Sequence, residues 1–201
     1  MHIEFLVEEP SAEVVLNNIL PKILRKEHTY RIHSHQGKMD LLKKLPNKLK
    51  GYQKSLPLDW KIVILIDRDK EDCYELKSKL ESIARNAGLY TKTNPDYSGN
   101  SQVINRIVIE ELEAWFFGDI DAIHWEFQRV PLSLARKSKY RNPDNIAGGA
   151  AEALEFLLKK YGYYSTGMPK IETARKISGH MNHLLNRSKS FQVFQKTISE
   201  I

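Results

Sequence analysis

An α/β fold built on a mostly parallel sheet is what the sequence predicts, and three observations carry that expectation. Strand-like and helix-like patterns alternate through the first 118 residues; one strand-like run, 60–66, is almost wholly apolar and β-branched; and strand signals stop after Gly118. Alternation at this spacing predicts parallel strands joined by right-handed crossovers, with helices covering the sheet. We therefore expect an α/β domain over residues 1–118 and a helical extension, 119–201, packed on it.

Ile3, Phe5 and Val7 alternate with Glu4 and Leu6, the pattern of a mostly buried strand, and Pro10-Ser11 opens a helical pattern through Val14, Val15, Leu16, Ile19 and Leu20. A short strand over 29–33 precedes Gly37, after which Leu41, Leu42, Leu45 and Leu49 recur at helical spacing. Residues 60–66 then carry Ile62, Val63, Ile64, Leu65 and Ile66, as a central strand buried on both faces would. An amphipathic helix over 71–86 is ended by Gly88, a fourth strand is expected over 103–109, and 110–117 continues directly as a helix. Beyond it, 119–128, 145–161, 170–186 and 191–198 read as helices, separated by Pro131, Pro143, Gly162, Gly167 and Pro169.

Composition excludes several classes. A chain of 201 residues can bury a core without a stabilising metal or disulfide. Its 41% hydrophobic and 28% charged residues argue against disorder. The single cysteine, Cys73, excludes a disulfide framework and a Cys-rich zinc site, and suits a reducing compartment, so a cytoplasmic protein is expected. No stretch resembles a signal peptide or reaches transmembrane length, so neither secretion nor a membrane role is expected. Lys and Arg outnumber Asp and Glu by 31 to 25, a modest surplus that favours polyanionic partners.

Chemistry is expected where ligands bind in open α/β sheets, outside the carboxyl ends of the strands. Three acidic clusters fall there: Glu8 and Glu9 after the first strand, Asp67 and Asp69 after the third, and Glu111 and Glu113 after the fourth. Crowded carboxylates repel unless a counter-ion joins them, and Mg²⁺ is held by a few carboxylate oxygens plus water. One cluster alone reads more economically as helix capping, with Asp69 as an N-cap and Glu8 and Glu9 favoured by a helix dipole. Three at one sheet edge favour a shared ion.

Other residues carry weaker signals. Arg136, Lys137, Lys139 and Arg141 surround Tyr140 in the densest basic run, equally readable as a phosphate-tracking loop or a solvated one. Lys43, Lys44, Lys48, Lys50 and Lys54 read as an exposed helix face. His33 and His35 share a strand face but have no third zinc ligand at a suitable spacing. Trp115, Phe116 and Phe117 read as packing residues of a helix on the sheet, and Cys73 as structural.

Three segments carry a family resemblance: Val7-Glu8-Glu9-Pro10-Ser11-Ala12-Glu13, Ile64-Leu65-Ile66-Asp67-Arg68-Asp69 and Glu111-Leu112-Glu113-Ala114-Trp115. The chain resembles the Toprim (topoisomerase-primase) superfamily, with its Rossmann-like sheet. It looks closest to the Toprim-like domain-of-unknown-function family 4276, whose relatives include ATPase-associated OLD-type nucleases. The resemblance implies that Glu8 acts in proton transfer or metal binding and that Asp67 and Asp69 bind metal. It offers Glu111 and Glu113 as further ligands and Glu9 and Glu13 as supporting acids. Glu9 stands where many relatives have glycine, which puts the tight turn there in doubt.

A chain of this size has no room for a strand-cleaving tyrosine domain or a template-handling domain, so a topoisomerase or primase is not expected. The resemblance implies an Mg²⁺- or Mn²⁺-dependent nuclease on nucleic acid, DNA favoured over RNA, working with an AAA/ABC-type ATPase partner in bacterial defence. An RNA-maturation nuclease and a non-catalytic subunit of an ATPase partner are the competing expectations, and self-association is left open.

Overall fold

The computed structural model describes residues 1–57 and 59–201, and the chain divides into two compact units. The first comprises Met1–Glu13 and Lys26–Ile107, the second Val14–Arg25 and Val108–Ile201. The fold is α/β and Rossmann-like, with a four-stranded, all-parallel sheet. Strands β1 (His2–Val7), β2 (Thr29–Ser34), β3 (Lys61–Asp67) and β4 (Val103–Val108) lie in the order β2-β1-β3-β4. β1 and β3 take the centre because their side chains demand it: Phe5, Leu6 and Val7 and the run Ile62 to Ile66 have almost no exposure.

Helices α2 (Lys38–Ser55) and α3 (Cys73–Asn86) supply the rest of one core in the first unit. Leu6, Ile62, Ile64 and Ile66 of the sheet bury with Leu41, Leu45 and Leu49 of α2 and with Leu76, Leu80 and Ala84 of α3. The i, i+4 spacing on each helix makes the stripe that covers the strands. Asp72 caps α3, its carboxylate accepting from the amides of Tyr74 and Glu75. Helix α1 (Pro10–Ile23) has proline at its first position, where a missing N–H costs nothing, and runs from the first unit into the second.

The second unit holds α4 (Glu113–Phe117), α5 (Ile120–Glu126), a 3-10 turn (Leu132–Arg136), α6 (Ser138–Arg141), α7 (Ala150–Lys160), α8 (Lys170–His180) and α9 (Lys189–Ser199). Trp115 is fully buried, 5.0 Å from the Phe191 ring and 5.1 Å from that of Phe194, and its indole N–H donates to Ser190. It is a packing residue, but these partners lie on α9, where the sheet was expected. Tyr140 stacks flat on Phe117 at 5.1 Å, pinning the short α6.

Element ends differ from expectation for local reasons. Residues 110–117 do not form one helix, because Glu110 takes a left-handed φ of 64° and the helix starts only at Glu113. The helix expected over 145–161 begins at Ala150, after Gly148 and Gly149 with φ of 89° and 92°, a conformation that costs glycine little. That expected over 170–186 stops at His180, where the Asn182 side chain turns the backbone by accepting from the Leu184 amide. Among the described residues no helix is long and apolar enough to cross a membrane.

Candidate functional site

Parallel pairing sets the level of the site. Val7 of β1 is in register with Ser34 of β2 and Leu65 of β3, so the residues after each strand emerge side by side. The Asp67 amide donates to Glu8 Oε2 at 3.2 Å, and the Gly37 amide donates to the Glu8 carbonyl at 3.0 Å. Glu8 is thus held from both neighbouring strand ends. Burial pushes its carboxyl above the usual range; the Asp67 amide and the Lys38 charge pull it down, Asp69 and Glu9 push it further up, and the net shift is upward.

Of the other two acids, Asp67 is the last residue of β3 and Asp69 lies in the loop between β3 and α3. Asp69 has a left-handed φ of 52°, a conformation aspartate tolerates better than most residues but which still costs energy. Its Oδ2 lies 2.6 Å from Lys38 Nζ, which also contacts Glu71 Oε1 at 2.9 Å and donates to the Arg68 carbonyl at 3.1 Å. The Lys38 side chain is only 10% exposed, so its charge is satisfied by these oxygens and not by water. Burial alone would lower this ammonium, but Asp69 and Glu71 outweigh burial and hold it charged.

Glu8, Asp67 and Asp69 therefore come together in the first unit. Glu13 accepts from the Ser34 hydroxyl, which ties the start of α1 to the end of β2, and Glu9 accepts from Ser11 at 3.3 Å while its carbonyl receives the first amides of α1. Glu111 and Glu113 belong to the second unit. There the Glu111 carboxylate accepts the Ala151 amide at 2.8 Å, satisfying an orphan donor in the first turn of α7, and Glu113 is buried as the first residue of α4. Among the described residues no group of three or more His, Cys, Asp and Glu side chains is arranged to hold a metal ion as it stands.

Arg136, Lys137, Lys139 and Arg141 are all exposed along the 3-10 turn and α6, with the Lys139 ammonium 5.6 Å from the Tyr140 ring centre and 5.7 Å from that of Phe156. His33 and His35 do not act together: His33 pairs with Glu4, and His35 Nδ1 bonds the Val7 carbonyl at 2.8 Å. Two features escaped sequence reasoning. Lys38 could have been found by the rule that found the acids, since it too follows a strand end across a glycine turn. Glu4, 6% exposed in mid-strand, accepts from Tyr52 OH at 3.1 Å and contacts His2 at 3.3 Å as well as His33. Burial opposes its charge, yet these partners lower its carboxyl, while burial and the Glu4 charge raise the Tyr52 phenol.

Compared with known proteins, residues 7–200 match the profile of a family described as Domain of unknown function (DUF4276). No curated protein and no solved structure matches the chain.

Proposed function

We propose, from the premise that the chain belongs to the DUF4276 family, that it is a Toprim-type, divalent-metal-dependent phosphodiesterase acting on nucleic acid, with DNA favoured over RNA. One observation carries the reading: Glu8 and the Asp67–Asp69 loop, from the ends of the two central strands, meet through the Asp67 amide and the Glu8 carboxylate. Their donor chemistry fits Mg²⁺ or Mn²⁺, since carboxylate oxygens are the hard ligands such ions select. The unfavourable charge on Glu8, raised by burial and by Asp69 and Glu9, is what an added cation would relieve.

Glu8, Asp67 and Asp69 would hold the ion. When bound, such an ion polarises a phosphoryl oxygen and lowers the pKa of water. Glu8, whose carboxyl is raised by burial, would share in metal binding or, where it is not a ligand, in proton transfer. Lys38 balances the negative charge of the loop. Arg136, Lys137, Lys139 and Arg141 supply exposed cations for a phosphate backbone. The likeness to ATPase-associated nucleases extends the proposal to an AAA/ABC-type ATPase partner.

The test is cleavage of labelled DNA and RNA with Mg²⁺ or Mn²⁺ by wild type, Asp67→Ala and Glu8→Ala. Loss of metal-dependent cleavage in both variants is expected. Equal cleavage by all three would refute the mechanism, cleavage of RNA alone would move the substrate to RNA, and inert wild type would leave a non-catalytic ATPase subunit as the reading to pursue.

A further inference from the structure

The acidic site contains its own cation. Lys38 is the first residue of α2, and Gly37 before it, with φ of 89°, bonds the Glu8 carbonyl, so the lysine starts from a fixed point beside the carboxyl end of β1. Its side chain runs inward and is nine-tenths buried, ending 2.6 Å from Asp69, 2.9 Å from Glu71 and 3.1 Å from the Arg68 carbonyl. Three oxygens of one loop are gathered on an ammonium. Asp69 is held at that ammonium from a left-handed backbone, so the geometry of the loop and the presence of the ammonium are coupled.

We propose that Lys38 is a positioning residue: a tethered ammonium that holds Asp69 in place of a divalent ion and must give up Asp69 when the ion binds. This rests on the metal-dependent reading above. A carboxylate oxygen paired at 2.6 Å with an ammonium cannot at the same time accept a metal along that direction. Entry of the ion at Asp69 Oδ2 therefore exchanges one cation for another at that oxygen, while Glu71 and the Arg68 carbonyl keep the released ammonium nearby. The exchange keeps the acidic loop folded without metal and weakens metal binding, because part of each ion's attraction is spent on displacing Lys38.

The experiment is titration of the full chain with Mn²⁺, followed by calorimetry and by Mn²⁺ spin resonance, for wild type, Lys38→Met, Lys38→Arg, Asp69→Asn, the Lys38→Met/Asp69→Asn double variant and Glu8→Ala. Lys38→Met is expected to bind about tenfold tighter than wild type, because a unit positive charge within the site is removed. Lys38→Arg, which keeps the charge, should stay near wild type. In the Asp69→Asn background the gain from Lys38→Met should largely disappear, since the contested ligand is gone. A gain that persists undiminished there would mean that Lys38 acts only through its field, and the exchange would be wrong. Unchanged or weaker binding in Lys38→Met, with binding abolished by Glu8→Ala, would overturn the role of Lys38 and leave the metal site standing. Absence of saturable Mn²⁺ binding in both wild type and Lys38→Met would overturn the metal site together with this inference.

Discussion

Glu81 on α3 offers the sharpest quantitative test of how the sheet edge beside the site is held. Its Oε1 receives Lys77 Nζ at 2.9 Å and the Asn105 amide at 2.8 Å, and Lys77 also donates to the Asn105 carbonyl at 3.0 Å, so the group ties α3 to β4. Burial works against the charge, but the Thr91 and Thr93 hydroxyls, the Asn105 amide and the Lys77 ammonium outweigh it and bring the carboxyl down to about 2. Each unit of displacement is worth about 1.4 kcal/mol, so a fall from the ordinary range sets a ceiling of about 3 kcal/mol. Oε2 is buried without an aligned donor, so the threonine contribution is discounted and the Oε1 bonds are weighted, leaving about 1–2 kcal/mol. The carboxyl is depressed in the folded state, so this stability is present above its unfolded pKa and is lost as pH falls toward 2. Glu81→Gln should therefore cost about 1–2 kcal/mol at pH 7, and the deficit should shrink steadily between pH 5 and pH 3. Urea unfolding of both proteins across that range measures it. A deficit that stays constant over the range, or one below about 0.5 kcal/mol at pH 7, would refute the argument.

Three further outcomes are expected. Because the Glu8 carboxyl is raised in the folded protein, its contribution is fully present below its unfolded pKa and is lost as pH rises; Glu8→Gln should melt about 2 °C higher than wild type at pH 7.5 without metal, with the advantage gone near pH 4, and a lower melting point at pH 7.5 would contradict it. Trp115→Ala removes a fully buried ring and the Ser190 bond and should cost about 3–5 kcal/mol in denaturant unfolding, so a loss under 1 kcal/mol would show that the α4–α9 packing is misassigned. Replacing Arg136, Lys137, Lys139 and Arg141 together by alanine should leave the melting point within a degree or so, since all four are exposed. The same variant should flatten the salt dependence of DNA binding by roughly one log unit for each phosphate no longer neutralised, and an unchanged slope would remove this run from the interface.

What was legible in the sequence, and what was not, follows from which physical signals are local. The β-branched run Ile62 to Ile66 has no stable place except between two other strands, and it lies there, with β1 on one side and β4 on the other. The convergence of Glu8 with Asp67 and Asp69 was readable because residues at the end of a parallel strand must emerge at the carboxyl edge of the sheet, whatever their neighbours do. Helix ends were less legible because they depend on single residues such as Glu110, whose left-handed backbone separates β4 from α4. The Glu4 pairing with His33 and Tyr52 was hidden because its partners lie on β2 and α2, far away in sequence.

Lys38 shows where such reading stops and why. A search for like-charged residues at one edge finds the acids, because repulsion among them calls for explanation, but it passes over the lysine that supplies the explanation. The rule that a strand end feeds the site applies equally to Gly37-Lys38 after β2 and to Glu8 after β1, with no preference for sign. Charge balance in a half-buried cluster is a property of the whole set: the carboxylates of Glu8, Asp69 and Glu71 all bear on the Lys38 ammonium, and any account of a metal there must include that ammonium. Under the proposed exchange, metal affinity at this edge would be set by a difference between two cations competing for Asp69, so a survey that varied only the acids would mistake a tuned site for a weak one.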